Sequence, residues 1–350
     1  MSIHKSAVLG LAAVTLCSAM ADSAMARELT VVGWGGSTQA AQHQIYMTPY
    51  AKALGKPVLE ESWDGGYGVL QAKVKAGTPN WDVVQVEADE LALGCADGLY
   101  EKLDWSKIGS RKDFIKGADS DCGVGAYVWS TALAYDTTKF ANGGPRSWAD
   151  FFDVAKFPGK RALRKGAKYN LEFALMADGV PADQVYSVLA TPAGVDRAFK
   201  KLDQLKPYLV WWESGAQPAQ LISSGEVAMS SAYSGRISAF NASEKAHLKI
   251  VWPDSIYATD SWVILRGSPN AASALGFIAF ASNPTNQAKL PSIIAWGPTN
   301  KTAAAQVPVQ FQTDLPTTAQ NMAVAQPLNV DFWVDNSEAL TQRFNAWLAQ

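Results

Sequence analysis

The sequence has few of the residues on which hydrolytic and metal-dependent sites are built. It holds three histidines and three cysteines in 350 residues, and no serine sits in a G-x-S-x-G motif. His43 and His247 are isolated, one within a predicted helix and one in a polar loop, which gives neither zinc-ligand spacing nor a catalytic base. Gly33 and Gly35 lack the third glycine and the later acid of a dinucleotide-binding loop. We therefore expect no enzyme, no metal and no cofactor.

Charge is also sparse. Charged residues make up 18% of the chain and the net charge is −2, so no nucleic-acid partner is indicated. By contrast, hydrophobic residues reach 48% and tryptophans number 13. That composition can fill large cores, and it also suits the aromatic walls with which exported proteins hold polar solutes.

Apolar runs of membrane-spanning length are missing as well. The N-terminal run, residues 7–20, is too short to cross a bilayer. Lys5 precedes it and a small-x-small cleavage site follows at residues 24–26. This order predicts a signal peptide over residues 1–26, cut before Arg27. No later run reaches about 18 apolar residues, so we expect a mature protein that is soluble in the periplasm.

Two cysteines remain after that cleavage, Cys95 and Cys122. An even pair in an oxidising compartment favours a disulfide over a metal or redox site. Closing this loop would stabilise the protein by about 3 kcal/mol in the loop-entropy account. The alternative is two separate buried thiols.

The first hundred residues alternate between strand and helix patterns. Three segments read as strands (LTVVGW, VLEESW and WDVVQV), the first of them buried, and each is followed by a helical pattern. Ser37 is positioned to cap the first of these helices, and Gly55 to end it. This rhythm predicts an α/β fold with a mostly parallel sheet covered by helices.

Two long extended segments cross between two such α/β regions. They are GAYVWSTALAYD, which begins at Gly125, and YATDSWVILRG, which begins at Tyr257. The block at residues 147–164 between them reads as polar loops. We predict two lobes joined by a two-strand hinge. Residues 27–137 plus 262–303 would form the first lobe, and residues 138–261 plus 304–350 the second.

Ligands of open parallel sheets bind outside the carboxyl ends of the strands, and the predicted strand ends carry charged and aromatic residues. Arg236 offers a guanidinium fork that suits a carboxylate, whereas Asp260 beside aromatic residues suits an ammonium group. A buried lone charge is unfavourable unless a ligand completes the pair. Together the two residues predict a binding site for a zwitterion. The alternative is a salt bridge between Asp260 and Arg236 in the empty protein.

Several segments together resemble the periplasmic solute-binding proteins of ABC importers, and among them the spermidine/putrescine-binding branch. They are WDVVQV, STALAYDTTKF, SWADFFDVAKFPGKRAL, SGEVAMSSAYSGR, ATDSWVILRGSPN and WGPTN. The resemblance implies the type II two-lobed fold, closure on a solute by hinge motion and a monomer that delivers the solute to an inner-membrane ABC permease. It also implies that Trp34 lies in the ligand wall, that Tyr233 flanks the ligand and that Asp260 holds a polyamine nitrogen.

The chain departs from the polyamine pattern at two positions. Ala258 stands where that branch has a tryptophan, two residues before the hinge acid, and Tyr169 aligns near a position where it has an acid. Glu172 lies one turn away as a candidate substitute. The chain thus has one carboxylate fewer and one arginine more than a polyamine site. Arg236 would repel a polyamine, so this change of charge disfavours a dication as ligand.

The sequence therefore predicts a small amino compound as ligand, best represented by an ω-amino acid that resembles 4-aminobutyrate (GABA). Its ammonium would bind Asp260 with help from Glu87 or Asp89. Its carboxylate would bind Arg236, with hydroxyl donors and aromatic walls completing the site. The full set of predicted ligand-binding residues is Trp34, Ser37, Glu87, Asp89, Tyr233, Ser234, Arg236, Asp260 and Trp262.

Two other functions stay open at this point. In the first, the solute is putrescine or spermidine, Arg236 pairs with a protein carboxylate, and one of Glu87, Asp89 or Glu172 supplies the second acid. In the second, the chain is an exported enzyme that acts on a small amine. Turnover separates the latter, since a receptor returns its solute chemically unchanged.

Overall fold

The computed structural model describes residues 27–140 and 143–350. The predicted signal peptide lies outside the described residues. Within the described ranges, no helix has both the length and the apolar character needed to cross a membrane.

Nine strands form one mixed sheet in the order β2-β1-β3-β8-β4-β7-β5-β6, with β9 paired to β8. The strands are β1 (Leu29–Gly33), β2 (Val58–Ser62), β3 (Val83–Val86), β4 (Gly123–Asp136), β5 (Arg161–Arg164), β6 (Leu209–Trp212), β7 (Met229–Tyr233), β8 (Leu248–Ile264) and β9 (Gln326–Pro327). Parallel pairs lie at both ends of the sheet, β1 with β2 and β3, and β5 with β6 and β7.

The long strands β4 and β8 run antiparallel to each other through the middle of the sheet and join its two halves. We call the half that carries β1, β2 and β3 the first lobe, and the half that carries β5, β6 and β7 the second lobe. The predicted α/β fold with two lobes and a two-strand hinge is confirmed. The exact lobe boundaries stay a prediction.

Sixteen α-helices surround the sheet. They are α1 (Gly36–Gln42), α2 (Thr48–Leu54), α3 (Tyr67–Lys75), α4 (Ala88–Ala96), α5 (Trp105–Ile108), α6 (Trp148–Phe152), α7 (Asn170–Ala177), α8 (Val185–Leu189), α9 (Pro192–Asp203), α10 (Gln217–Ser224), α11 (Ser234–Glu244), α12 (Ala271–Ser282), α13 (Pro284–Gln287), α14 (Lys301–Gln306), α15 (Ala319–Met322) and α16 (Val330–Leu348). A π-helical segment, His43–Met47, links α1 to α2. Short 3-10 turns cover Arg111–Asp113, Thr137–Lys139, Ala182–Gln184, Lys206–Tyr208, Leu290–Ser292 and Val309–Phe311.

The polar block at residues 147–164 is not a set of loops. It contains α6 and β5, because the Ser147 hydroxyl caps α6 by accepting from the Asp150 N–H at 3.2 Å. Trp148 and Phe151 then bury the apolar face of that helix. Likewise, the segments that begin at Leu248 and Tyr257 are a single 17-residue strand, β8.

The predicted cap of the first helix is wrong. Helix α1 begins at Gly36, so Ser37 lies inside its first turn, and Gly35 is the N-cap residue without a side-chain cap. Gly35 and Gly36 have φ values of 60° and 56°, which favour glycine, and the cap lies two residues earlier than expected. The predicted end is confirmed, since Gly55 adopts a left-handed conformation at φ 68°.

Cys95 and Cys122 form a disulfide, as the sequence predicts. The bond ties the last turn of α4 to the residue before β4. Since α4 begins directly after Glu87, the disulfide fastens the helix whose first turn faces the site described below.

Candidate functional site

A cavity lies between the lobes at the carboxyl ends of the strands and against the hinge. It is lined by Trp34, Thr38, Trp63, Asp64, Glu87, Tyr127, Trp129, Arg164, Glu213, Gly215, Tyr233, Arg236, Asp260 and Trp296. Its volume is about 50 Å³, counted as the space open to the centre of a water molecule. One water needs about 10–15 Å³ on that measure, so the cavity fits a small solute.

Five of the nine predicted ligand-binding residues line this cavity: Trp34, Glu87, Tyr233, Arg236 and Asp260. They come together because each lies at a strand end or on a hinge strand, and those positions converge at one edge of the sheet.

The other four predicted residues lie elsewhere. Ser37 lines a neighbouring surface depression, and Asp89 binds Lys168. Trp262 is buried edge-on against Phe277 with ring centroids 5.4 Å apart, inside the core. Ser234 is buried at the start of α11, and its hydroxyl has no hydrogen-bond partner among the described residues.

Asp260 is a buried carboxylate without a cation. It is 3% exposed, and the Trp129 indole N–H donates to its Oδ1 at 2.6 Å. No lysine or arginine of the described residues forms an ion pair with it. Burial, together with the nearby Glu87 carboxylate, raises the pKa of Asp260 to about 8. The group is therefore poised to gain a positively charged partner.

Arg236 is the matching cation without an acid. It lies in the first turn of α11 in the second lobe, is 7% exposed, and donates to the carbonyls of Trp34 at 2.9 Å and Gly35 at 3.4 Å in the first lobe. No carboxylate of the described residues pairs with it, so the alternative of a salt bridge to Asp260 is not observed. Burial lowers the pKa of the guanidinium from its ordinary value. A buried charge held only by carbonyls leaves donors for an anionic group.

Two glycines make room for that guanidinium. A Cβ atom at Gly36 would lie 2.7 Å from Arg236 Nη1, and one at Gly215 would lie 2.7 Å from Arg236 Nε. The two glycines come from different lobes, so the Arg236 side chain is enclosed from both sides. This enclosure holds the guanidinium in an orientation toward the cavity.

Glu87 lines the same cavity but is fully paired. Its carboxylate accepts from Arg164 Nη1 at 3.0 Å, Lys168 Nζ at 2.5 Å and the Tyr169 hydroxyl at 3.0 Å. Burial acts to raise the pKa of Glu87, but the Lys168 and Arg164 cations outweigh it and hold the pKa at about 2. Lys168 also contacts both Asp89 oxygens at 2.9 Å. Glu87 and Asp89 therefore have their cations from the protein itself.

Aromatic rings form the remaining walls. Trp34 stacks on Trp63 with centroids 5.3 Å apart, and Tyr127 stacks on Trp296 at 5.3 Å. Trp129 meets Tyr233 edge-on at 5.2 Å. The sequence interpretation identified Trp34 and Tyr233 but missed the other four rings, which lie on a hinge strand or in loops.

The register of the hinge strands explains the departure at Ala258. Trp129 on β4 lies directly opposite Ala258 on β8, and Tyr127 lies opposite Asp260. A small residue at position 258 leaves space for the Trp129 indole beside the acid. Trp129 therefore supplies an aromatic ring beside Asp260 from the neighbouring strand, a relation that only strand pairing reveals.

The second departure, at Tyr169, also has a physical account. The Tyr169 hydroxyl donates to Glu87, so the residue supports the paired acid and supplies no charge of its own. Glu172 lies away from the cavity in the second lobe. It is fully buried there and accepts from Trp333 Nε1 at 2.7 Å and the Tyr186 hydroxyl at 3.1 Å.

Comparison with known proteins agrees with this architecture. A family model described as bacterial extracellular solute-binding protein matches residues 57–317. A gamma-aminobutyric acid-binding protein of Pseudomonas aeruginosa PAO1 is 49% identical over 335 residues, which cover 96% of this chain and 95% of that protein.

Two further proteins are similar to this chain. The solved structure of the Atu4243 GABA receptor is 34% identical with a TM-score of 0.81, covering 93% of this chain and 98% of that one. The putrescine-binding periplasmic protein SpuD of Pseudomonas aeruginosa UCBPP-PA14 is 24% identical over 322 residues, which cover 82% of this chain and 87% of that protein.

Proposed function

The chain belongs to the bacterial extracellular solute-binding proteins, and from that premise we propose that it is the periplasmic receptor of an ABC importer for GABA or a similar ω-amino acid. The family resemblance in the sequence is thereby confirmed. The solute would be enclosed between the lobes and then passed to an inner-membrane permease. The predicted signal peptide, residues 1–26, would direct export and be removed in the process, and the mature receptor would act as a monomer.

One observation carries the choice of solute. Asp260 and Arg236 are a buried acid and a buried base, neither has an ionic partner among the described residues, and both line one small cavity. Leaving a charge buried and unpaired is strongly unfavourable. A linear zwitterion with an amine at one end and a carboxylate at the other completes both groups at once.

Each residue then has a role in the proposed complex. Asp260 accepts the ammonium, and Arg236 donates to the carboxylate. The indole N–H of Trp34, which lines the cavity, is buried without a hydrogen-bond partner among the described residues, which supports it as a further donor. The Ser234 hydroxyl is also buried without a partner, but Ser234 does not line the cavity and is given no direct role. Trp34, Trp129 and Tyr233 enclose the methylene chain. Ser37, Asp89 and Trp262 have no direct role, since none of them lines the cavity.

The relatives support the same solute. The protein at 49% identity and the structure at 34% identity are both described by GABA. Putrescine is the weaker candidate, because SpuD is only 24% identical and because Arg236 has no acidic partner that would neutralise it. An enzyme acting on a small amine is less favoured still, since the relatives are binding proteins.

The test is calorimetric titration of residues 27–350, unfolded and refolded to remove carried-over solute. The panel is GABA, putrescine, spermidine and ordinary α-amino acids. We expect tight binding of GABA alone, with the solute recovered chemically unchanged.

The matching variant is Arg236→Ala, which removes the carboxylate partner and should weaken GABA binding by more than about 100-fold. Arg197→Ala is the control, since Arg197 is 45% exposed and pairs with Asp178 on the surface. Unchanged GABA affinity in Arg236→Ala would rule out the zwitterion site. Tight binding of putrescine by the unaltered protein would replace GABA with a diamine.

A further inference from the structure

We propose that the Lys168 ammonium occupies the place that the second ammonium of a diamine would take, so that the receptor rejects diamines by carrying its own cation. The inference rests on the proposed function and deepens it by naming a residue that determines specificity.

The surroundings of Lys168 are those of an ammonium-binding site. Its Nζ lies 2.5 Å from Glu87 Oε2 and 2.9 Å from each of the two Asp89 oxygens. An ammonium group has three N–H donors, and here three carboxylate oxygens receive them. The Tyr169 ring lies 5.7 Å from the same nitrogen, as in sites that combine acids and an aromatic ring around an amine.

This site adjoins the ligand cavity. Glu87 lines the cavity itself, and Asp89 follows two residues later in the first turn of α4. Lys168 reaches them from the other lobe, just before α7, with 20% of its side chain exposed. If the side chain were shorter, the space next to Glu87 would open toward the cavity.

The charges around Glu87 decide which solutes are accepted. Glu87 and Asp89 contribute two negative charges, and Arg164 and Lys168 contribute two positive charges. Their sum is zero, so Asp260 is left as the buried acid of the cavity lining that has no cation among the described residues. The other two acids of the lining, Asp64 and Glu213, are exposed. A diamine would place its second ammonium next to Lys168, Arg164 or Arg236, and a like charge in a buried site disfavours it. A zwitterion needs only one acid and one base, and the site offers that pair.

The first test is Lys168→Ala, which removes the charge and vacates its space. We expect putrescine affinity to rise by about tenfold or more over the unaltered protein, and GABA affinity to change by less than about fivefold. The measurement is calorimetry with GABA and a diamine series from 1,3-diaminopropane to 1,5-diaminopentane. The series identifies which chain length spans from Asp260 to the vacated position.

Three further variants make the test specific. Lys168→Met removes the charge but fills the space, so its gain in putrescine affinity should be smaller. Lys168→Arg keeps the charge and should still reject putrescine. The control is Lys156→Ala, which breaks the exposed pair between Lys156 and Asp150 and should alter neither solute. If Lys168→Ala does not fold, as judged by circular dichroism, Lys168→Gln takes its place.

Two outcomes would overturn the inference. If Lys168→Ala or its replacement binds GABA normally and still rejects putrescine, Lys168 does not set specificity. If the variant loses GABA and gains no diamine, the ion cluster serves only to hold the lobes together. Failure of the proposed function would look different, because the unaltered protein would then not bind GABA at all.

Discussion

Glu87 and Asp260 are two buried acids that line one cavity, and they differ in whether the protein itself supplies a positively charged partner. Glu87 accepts from Arg164, Lys168 and Tyr169, and its pKa is held at about 2. Asp260 accepts from the Trp129 indole at 2.6 Å without forming an ion pair to any described residue, and its pKa is raised to about 8. Two acids of similar burial therefore differ in their partners: Glu87 has two cations from the protein, and Asp260 has none among the described residues.

The two arginines of the cavity repeat the contrast. Arg164 pairs with Glu87 at 3.0 Å, whereas Arg236 donates only to backbone carbonyls. Where the lobes meet, Glu87 and Arg164 are therefore paired, while Asp260 and Arg236 both lack an ionic partner among the described residues. Strongly perturbed groups of this kind in a cleft are typical of functional sites.

Replacing the open acid should produce the largest effect on binding. In Asp260→Asn the ammonium of GABA loses its ionic partner, so we expect affinity to fall by more than about 100-fold in calorimetry. The empty variant should also be more stable than the unaltered protein at pH 9, by on the order of 1 kcal/mol in urea denaturation, because a buried unpaired carboxylate is gone. A variant that binds GABA normally would remove Asp260 from the site.

The pH dependence of binding should separate the two acids next. A carboxyl group whose folded pKa is about 8 is protonated at pH 6 and must lose its proton to receive an ammonium. Affinity for GABA should therefore fall by about tenfold for each pH unit below 8 and level off above it. The ligand amine, with a pKa near 10.4 for such groups, stays charged throughout this range.

Other groups face Asp260 and need a control. Glu87, Tyr127, Tyr233 and Arg236 all act on it electrostatically, and burial raises the pKa of Glu90, in the same helix turn as Asp89, to about 7. Titrations in buffers of different ionisation enthalpy count the protons released at pH 7. If Asp260→Asn shows the same pH slope in its residual binding, the slope belongs to Glu90 and not to Asp260.

Replacing Glu87, the acid that the protein already pairs with cations, should have the smallest effect on GABA affinity and should mainly lower the stability of the fold. Glu87→Gln leaves Lys168 and Arg164 short of a partner, so we expect a loss of about 2–3 kcal/mol in the free energy of unfolding at pH 7. GABA affinity should change by less than about tenfold, provided the lobes still close.

The sign of its pH dependence is opposite to that of Asp260. The folded pKa of Glu87, about 2, lies below its ordinary value of 4.5. Its stabilising contribution is therefore complete above about pH 4.5 and is lost as the pH falls toward 2. Denaturation curves of the unaltered protein and Glu87→Gln should converge on acidification. Curves that stay parallel from pH 5 to pH 2.5 would show that the ion cluster does not stabilise the fold.

Much of the fold could be predicted from the sequence because its signals are local. Buried strands followed by amphipathic helices specify an α/β sheet, and the two unusually long extended segments specify the hinge. The disulfide could be predicted because the chain has a predicted signal peptide and because two cysteines, an even number, remain after its removal. The errors were local as well: the block at residues 147–164 reads as polar although Trp148 and Phe151 bury one face of it.

The site was predictable where residues sit at strand ends and not where contacts cross the sheet. Arg236 lies in the first turn of the helix that follows β7, and Asp260 lies within the hinge strand β8, both at positions that the sequence indicates. The sequence does not indicate the place of Trp129 beside Asp260, because that place depends on the register of β4 against β8. Asp89 is bound by Lys168, and nothing in the local sequence of Asp89 shows that a lysine 79 residues away reaches it.

The sequence by itself therefore determined the family, the α/β order, the hinge, the disulfide and the presence of one acid and one arginine suited to a zwitterion. The tertiary structure alone decided which charges stay unpaired. Ion pairing depends on the distances between side chains of the two lobes, which are far apart in the sequence. The sequence around a carboxylate does not show whether a lysine from the other lobe reaches it. Glu87 and Asp260 are both acids at the same edge of the sheet, and only folding brings two cations to Glu87 and leaves Asp260 for the ligand.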